Sequence, residues 1–83
     1  MTDINYEEFL SDLIKPLVVY PEEVKVKIFS EIDNNITLQV MVSKEDLGRV
    51  IGKKGRVANA IRTIAFACGA RNGKKLNISI DAF

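Results

Sequence analysis

The chain has 83 residues, twelve of them basic and eleven acidic, for a formal net charge of +1; this is enough chain for one domain, residues 1–83, and too little for a second core. A hydrophobic share of 47% suits a packed globular chain, while the absence of histidine and the single cysteine, Cys68, exclude an internal disulfide and a zinc site. The longest apolar runs, such as Leu17 to Tyr20, fall far short of a bilayer, and no basic start leads into an apolar export segment, so the expected location is the cytoplasm.

Asn5 followed by Glu8 is a helix-start signature, and Phe9, Leu10, Leu13, Ile14 and Leu17 recur behind it at helical spacing as one buried stripe. Pro16 lacks an N–H and crowds the carbonyl four residues back, which predicts an end or kink near Ile14 to Lys15. Val24, Val26 and Ile28 alternate with Lys25, Lys27 and Phe29, and Ile32 keeps the same phase, the pattern of a half-buried strand. Asp33-Asn34-Asn35 is turn chemistry. Ile36, Leu38, Val40 and Val42 then alternate with Thr37, Gln39 and Met41 as a second strand, and the short connection makes an antiparallel hairpin. Ser43 with Asp46 three residues on is another capping signature, opening a short helix that carries Leu47, Val50 and Ile51.

That helix ends at Gly52-Lys53-Lys54-Gly55, and a further helix is predicted from about Arg56 to Cys68, with Gly69 as the residue that stops it. Leu76, Ile78 and Ile80 alternate with Asn77, Ser79 and Asp81 as a third strand. A strand, a helical crossover and a further strand pair in parallel. The order α-β-β-α-α-β is that of an α+β fold with a mixed sheet.

Glycine at both ends of Lys53-Lys54 permits positive φ and close approach of another backbone. The lysines stand out at the turn, and the start of the following helix favours a phosphate. Taken alone, such a turn is often no more than a solvated loop. The charge distribution adds weight: residues 1–43 carry three basic groups against eight acidic ones, whereas residues 44–75 carry nine against two. A basic half around the turn is the electrostatic footprint of a nucleic-acid face. The acidic half reads as solvated surface.

The segment Gly48-Arg49-Val50-Ile51-Gly52-Lys53-Lys54-Gly55-Arg56, followed by a helix bearing Ala58, Ile61 and Ala65, resembles the I-G-x-x-G signature of the KH domain. The element order is similar to the type II, or prokaryotic, form, which implies a three-stranded mixed sheet with three helices on one face. The resemblance covers nearly the whole chain, and with the early Leu-Ile-Lys-Pro-Leu-Val it extends to the KhpA family of small bacterial RNA-binding proteins. It implies single-stranded RNA as partner, about four nucleotides being clamped against the turn. Gly52 and Gly55 would admit the sugar-phosphate, Lys53 and Lys54 would neutralise phosphates, Arg56 would add a donor, and Arg49 would reach the same strand. Ile51 and parts of the second strand would line a base groove, with Asn59 and Arg62 at its edge; plain core is an equal alternative for Ile51. No cofactor is implied. There is no Trp, and the aromatic residues lie away from the turn in sequence, so stacking platforms are not expected.

At 100° steps, Ala58, Ile61 and Ala65 form the stripe that should cover the sheet. Val57, Ala60, Ile64, Ala67 and Cys68 lie on the adjoining side and widen the apolar arc to about half the circumference, against the roughly 100° that one packing face requires. Either the first helix covers this surface, or Val57, Ala60, Ile61, Ile64, Ala67 and Cys68 form a pairing face. The family resemblance implies a homodimer or a mixed pair with a KhpB/Jag/EloR-type protein, and an RNA-chaperone or post-transcriptional role tied to cell elongation and cell-wall homeostasis. Phe66 projects between Asn59 and Arg62 on the polar side, either exposed or meeting Phe83. An enzyme is not expected: the lone Cys68 has no base near it, no paired carboxylates converge, and no phosphate-loop Gly-Lys-Ser/Thr follows the turn. The serious rival is a protein-interaction module that has lost RNA contact.

Overall fold

A computed structural model describes residues 4–83. Helix α1 (Tyr6–Ile14) starts where Asn5 Oδ1 accepts the Glu8 N–H at 3.0 Å, which satisfies one of the donors a helix start leaves open. Leu10 and Ile14 are fully buried. At Pro16 the helix tightens into a 3-10 turn over Lys15–Leu17. Three residues per turn carry Leu17 off the 3.6-residue stripe, and it stands exposed rather than closing the stripe as expected.

Strands β1 (Lys25–Ile32), β2 (Asn35–Val42) and β3 (Lys75–Ala82) form one sheet in the order β1-β2-β3. β1 runs antiparallel to β2, and β3 runs parallel to it. The central strand sets the core: Leu38, Val40 and Val42 are inaccessible and Ile36 nearly so. Opposite Leu38 lie Ile28 and Ile78, and opposite Val40 lie Val26 and Ile80. Onto this one face pack Leu10 and Ile14 of α1, Val50 of α2 (Lys44–Ile51), and Ile61 and Ala65 of α3 (Arg56–Arg71), so three helices share a single hydrophobic cluster with the sheet.

Ile32 does not keep the phase its spacing suggests. The pairing register slips between Ile28 and Ser30, leaving Phe29 as an extra residue. Beyond this bulge Ile32 pairs with Asn35, on the face away from the helices, and is 67% exposed. One inserted residue reverses every later side chain because the strand period is two. The Ile28 N–H at the bulge is taken by Glu7 Oε2 at 2.9 Å, so a helix carboxylate covers part of the outer edge.

Gly69 does not stop α3. The helix runs on to Arg71, and Gly69 is buried inside it, where a Cβ would come within 2.9 Å of both Leu76 Cγ and the Lys74 carbonyl oxygen. The glycine is there for close packing against β3. The terminator is Gly73, at φ +70°. The Gly73 N–H bonds the Ala70 carbonyl at 3.1 Å and the Lys74 N–H bonds the Gly69 carbonyl at 2.8 Å, the paired closing bonds of a Schellman motif.

Candidate nucleic-acid interface

The turn between α2 and α3 is held by its own backbone. Gly52 N–H reaches the Gly48 carbonyl at 2.8 Å, and Gly55 N–H reaches the Gly52 carbonyl at 3.1 Å. Gly52 sits at φ 78°, ψ 171°, a region essentially closed to side chains. Lys54 and Gly55 follow in left-handed backbone, at φ 57° and 75°. Lys53, Lys54 and Arg56 are all exposed. The N-cap of α3 is Gly55 and makes no side-chain capping bond, so no side chain competes with an anion for the first N–H groups of the helix. Among the described residues the one ion pair is Arg49–Asp46, and the lysines of the turn, Arg56 and Arg62 have no carboxylate partner among them.

Ser43 caps α2 as expected, but Asp46 has a different role from the one its spacing suggests. It is not the partner of the Ser43 cap, whose hydroxyl accepts from Glu45 N–H at 3.3 Å and donates to Glu45 Oε1 at 2.8 Å. Asp46 is fully buried. Its Oδ1 accepts the Val19 N–H and its Oδ2 the Tyr20 N–H, each at 2.9 Å. Burial pushes its carboxyl up, but these two N–H groups and the Arg49 guanidinium outweigh that and hold it below the ordinary 3.8. Arg49 Nη1 donates to Asp46 Oδ1 at 3.1 Å and to the Glu45 carbonyl at 2.8 Å, with half its side chain exposed.

A groove runs between α3 and the outer edge of β3, lined by Arg62, Thr63, Phe66, Leu76, Asn77 and Ile78. Arg62 Nε donates across it to the Ile78 carbonyl at 3.4 Å. The second strand, expected to line a base groove, does not line this one. β2 is paired on both edges and buries its helix-side residues, so the open strand edge beside α3 is that of β3. Of the two alternatives for Phe66, exposure holds: it lies in this groove and is 54% exposed. Asn59 is exposed one turn before Arg62, nearer the glycines, and Ile51 is half-buried as the last residue of α2.

A second groove lies between α1 and α3, lined by Ile4, Phe9, Ile64, Ala67, Cys68 and Arg71 among others. The first helix borders this surface and leaves Ile64 48% exposed. Of the residues expected to form a pairing face, Ala60, Ile64 and Ala67 are exposed and Cys68 is half-buried. Ile61 is corrected to core, since it faces the sheet at 4% exposure, and Val57 packs against the same cluster behind Gly52. Among the described residues no group of His, Cys, Asp or Glu could hold a metal, and no helix is long and apolar enough to cross a membrane.

An α-β-β-α-α-β chain with a Gly-x-x-Gly turn between its last two helices and a parallel strand pair closing the sheet is a KH domain of type II. The family model described as "KhpA/KhpB, KH domain" matches residues 7–80, and the chain belongs to that family. It is 49% identical over 74 residues to the RNA-binding protein KhpA of Listeria monocytogenes, covering 89% of this chain and 96% of that protein. It is 44% identical over 80 residues to the RNA-binding protein KhpA of Bacillus subtilis, covering 96% and 98%. A crystal structure of an Era variant from Aquifex aeolicus bound to GDP and aluminium fluoride superposes with a TM-score of 0.64 at 20% identity. That match covers 99% of this chain and 33% of the Era chain, and it speaks to the fold alone.

Proposed function

We propose that this protein binds single-stranded RNA, its backbone held at Gly52-Lys53-Lys54-Gly55 and its bases laid along the groove between α3 and β3. The observation that carries this reading is the exposed lysine pair on a turn whose shape only glycine permits, beside a helix start with no side-chain cap. Phosphates there meet Lys53, Lys54 and Arg56, while Arg62 and Phe66 offer a fork and a ring to the bases. The names of the relatives, RNA-binding protein KhpA, support the same assignment. Binding and not catalysis is the activity proposed, in the cytoplasm, with a role in post-transcriptional control bearing on cell elongation and the cell wall.

The partner proposed at the α1–α3 groove is a second KH chain, either another copy or a KhpB-type protein; the joint family name and the exposed Ile64 support it. Two linked clamps raise the effective concentration on one RNA and offset a weak single site.

The test is fluorescence anisotropy of a short, unstructured, labelled RNA across a salt series. The parent should bind with a log–log salt slope near −0.7 per phosphate neutralised. Lys53→Asp/Lys54→Asp should abolish binding without changing the circular-dichroism spectrum. A parent that gives no RNA signal at any salt would leave the interaction-module reading standing in its place, and a folded double variant that binds as the parent does would show that the turn is not the grip.

A further inference from the structure

Arg49 and Asp46 together make a device that RNA binding, as read above, does not yet use. A guanidinium carries five N–H donors. Both hydrogens of Nη1 are committed, one to the Glu45 carbonyl at 2.8 Å and one to Asp46 Oδ1 at 3.1 Å. What remains is the Nε–Nη2 edge, the pair of parallel donors that matches two oxygens of a phosphate, on a side chain that is 51% exposed. Arg49 stands in the last turn of α2, three residues before Gly52.

Asp46 can hold the arginine in this way because it is itself immovable. It is wholly buried, with one oxygen on the Val19 N–H and the other on the Tyr20 N–H. The segment after α1 thereby anchors the carboxylate, the carboxylate anchors Nη1, and the free edge of the fork is fixed in direction before any ligand arrives. An exposed arginine without such a tether surrenders rotamer freedom on binding.

We propose that Asp46 is a positioning residue for RNA, aiming the free Nε–Nη2 edge of Arg49 at a phosphate next to the one gripped by the Gly52–Gly55 turn. The proposal rests on the RNA-binding reading and deepens it. The Asp46–Arg49 pair is neutral as a whole, so what Asp46 contributes is direction and not attraction. This separates it from a bystander carboxylate, whose removal near an RNA site raises affinity by deleting a negative charge.

The experiment measures affinity for the same labelled RNA at a temperature where circular dichroism shows each protein fully folded. Asp46→Asn should weaken binding about fivefold despite losing a negative charge, and Arg49→Lys, which keeps the charge and loses the fork, should weaken it by a similar factor. In an Arg49→Ala background, Asp46→Asn should cost nothing further in affinity, although it still lowers the melting temperature; a purely structural role would not produce that cancellation. Asp46→Asn binding as tightly as the parent or more tightly overturns the proposal. So does unchanged binding by Arg49→Lys, which keeps the question open to test should Asp46→Asn fail to fold. Lys53→Asp/Lys54→Asp serves as control: if that variant retains RNA, the reading that the turn grips the backbone has failed, whereas loss of RNA there beside unimpaired binding by the Asp46 and Arg49 variants removes only the positioning role.

Discussion

The side chain of Val57 fills the space that a Cβ on Gly52 would need, with the Val57 nitrogen only 2.8 Å from that ideal position. The turn and the first residue pairs of α3 are thus one packed unit, and the backbone of Gly52 lies directly against the helix that follows. Two independent penalties therefore fall on any substitution there: a φ of +78° that side chains avoid, and a collision with a residue tied into the core. Gly52→Ala should destabilise the fold by about 3 kcal/mol, read as a lower urea midpoint at unchanged m-value.

Gly48 supplies the contrast. It lies inside α2 with nothing within 4 Å of its would-be Cβ. Gly48→Ala should raise stability by about 0.5–1 kcal/mol, the ordinary gain of alanine over glycine in a helix. The same urea titration checks it, and equal effects at the two glycines would disprove the account of Gly52.

Where the sequence was legible, a local rule had no tertiary competitor. Asn5 and Glu8 mark the start of α1, Pro16 marks where it tightens, and the alternation of Ile36, Leu38, Val40 and Val42 names the buried face of the central strand. The misreadings have tertiary causes. A glycine at the end of an apolar helix pattern reads as a terminator, but Gly69 is required by the close passage of Leu76. The bulge at Phe29 has no glycine or proline to announce it, so alternation alone puts Ile32 on the wrong face. Asp46 stands where a capping partner would, and its true ligands, Val19 and Tyr20, lie 27 and 26 residues away. Phe66 reads as a lone apolar residue on the polar side of α3, and only the pairing of β3 beside that helix makes its surroundings a groove. The turn itself was legible because its constraints are local.

Asp46 also makes the fold sensitive to acid. Its folded carboxyl lies below 3.8, so the unfolded chain binds the proton first as pH falls. The stabilisation from this group is complete above about pH 4 and is lost as pH drops through the folded value. Melting temperatures taken from about pH 5 to about pH 2 should fall more steeply for the parent than for Asp46→Asn. Near neutral pH that variant should melt roughly 10 °C lower, since Val19 and Tyr20 lose an ionised acceptor. Parallel curves would remove Asp46 as the source of the acid dependence.

Ile64 tests the pairing face without touching the core. It is 48% exposed in the α1–α3 groove, so an aspartate there costs little in the isolated chain, and surface changes of this kind usually fall within about 0.5 kcal/mol. In a pair of chains joined through this groove, the same aspartate buries an unpaired charge. If the chains pair there, Ile64→Asp should sediment as a folded monomer at concentrations where the parent sediments as a dimer; a monomeric parent would remove the pairing face. A dimer that survives the substitution would show that the chains meet elsewhere.

Phe66 separates the base groove from the phosphate grip. Its ring is 54% exposed beside Arg62 and Ile78, so removing it leaves the core intact and stability nearly unchanged. Base–aromatic stacking is worth about 1–3 kcal/mol per base, and Phe66→Ala should weaken RNA binding by about tenfold or more. The salt slope should stay where it was, because no cation has been removed. A single Lys53→Ala does the opposite, flattening the slope as it weakens binding. The two signatures are independent, so one anisotropy series on both variants tells whether bases and backbone are held at separate places on this surface. If Phe66→Ala binds as the parent does, the bases do not lie along β3, and the grip at the turn must act alone.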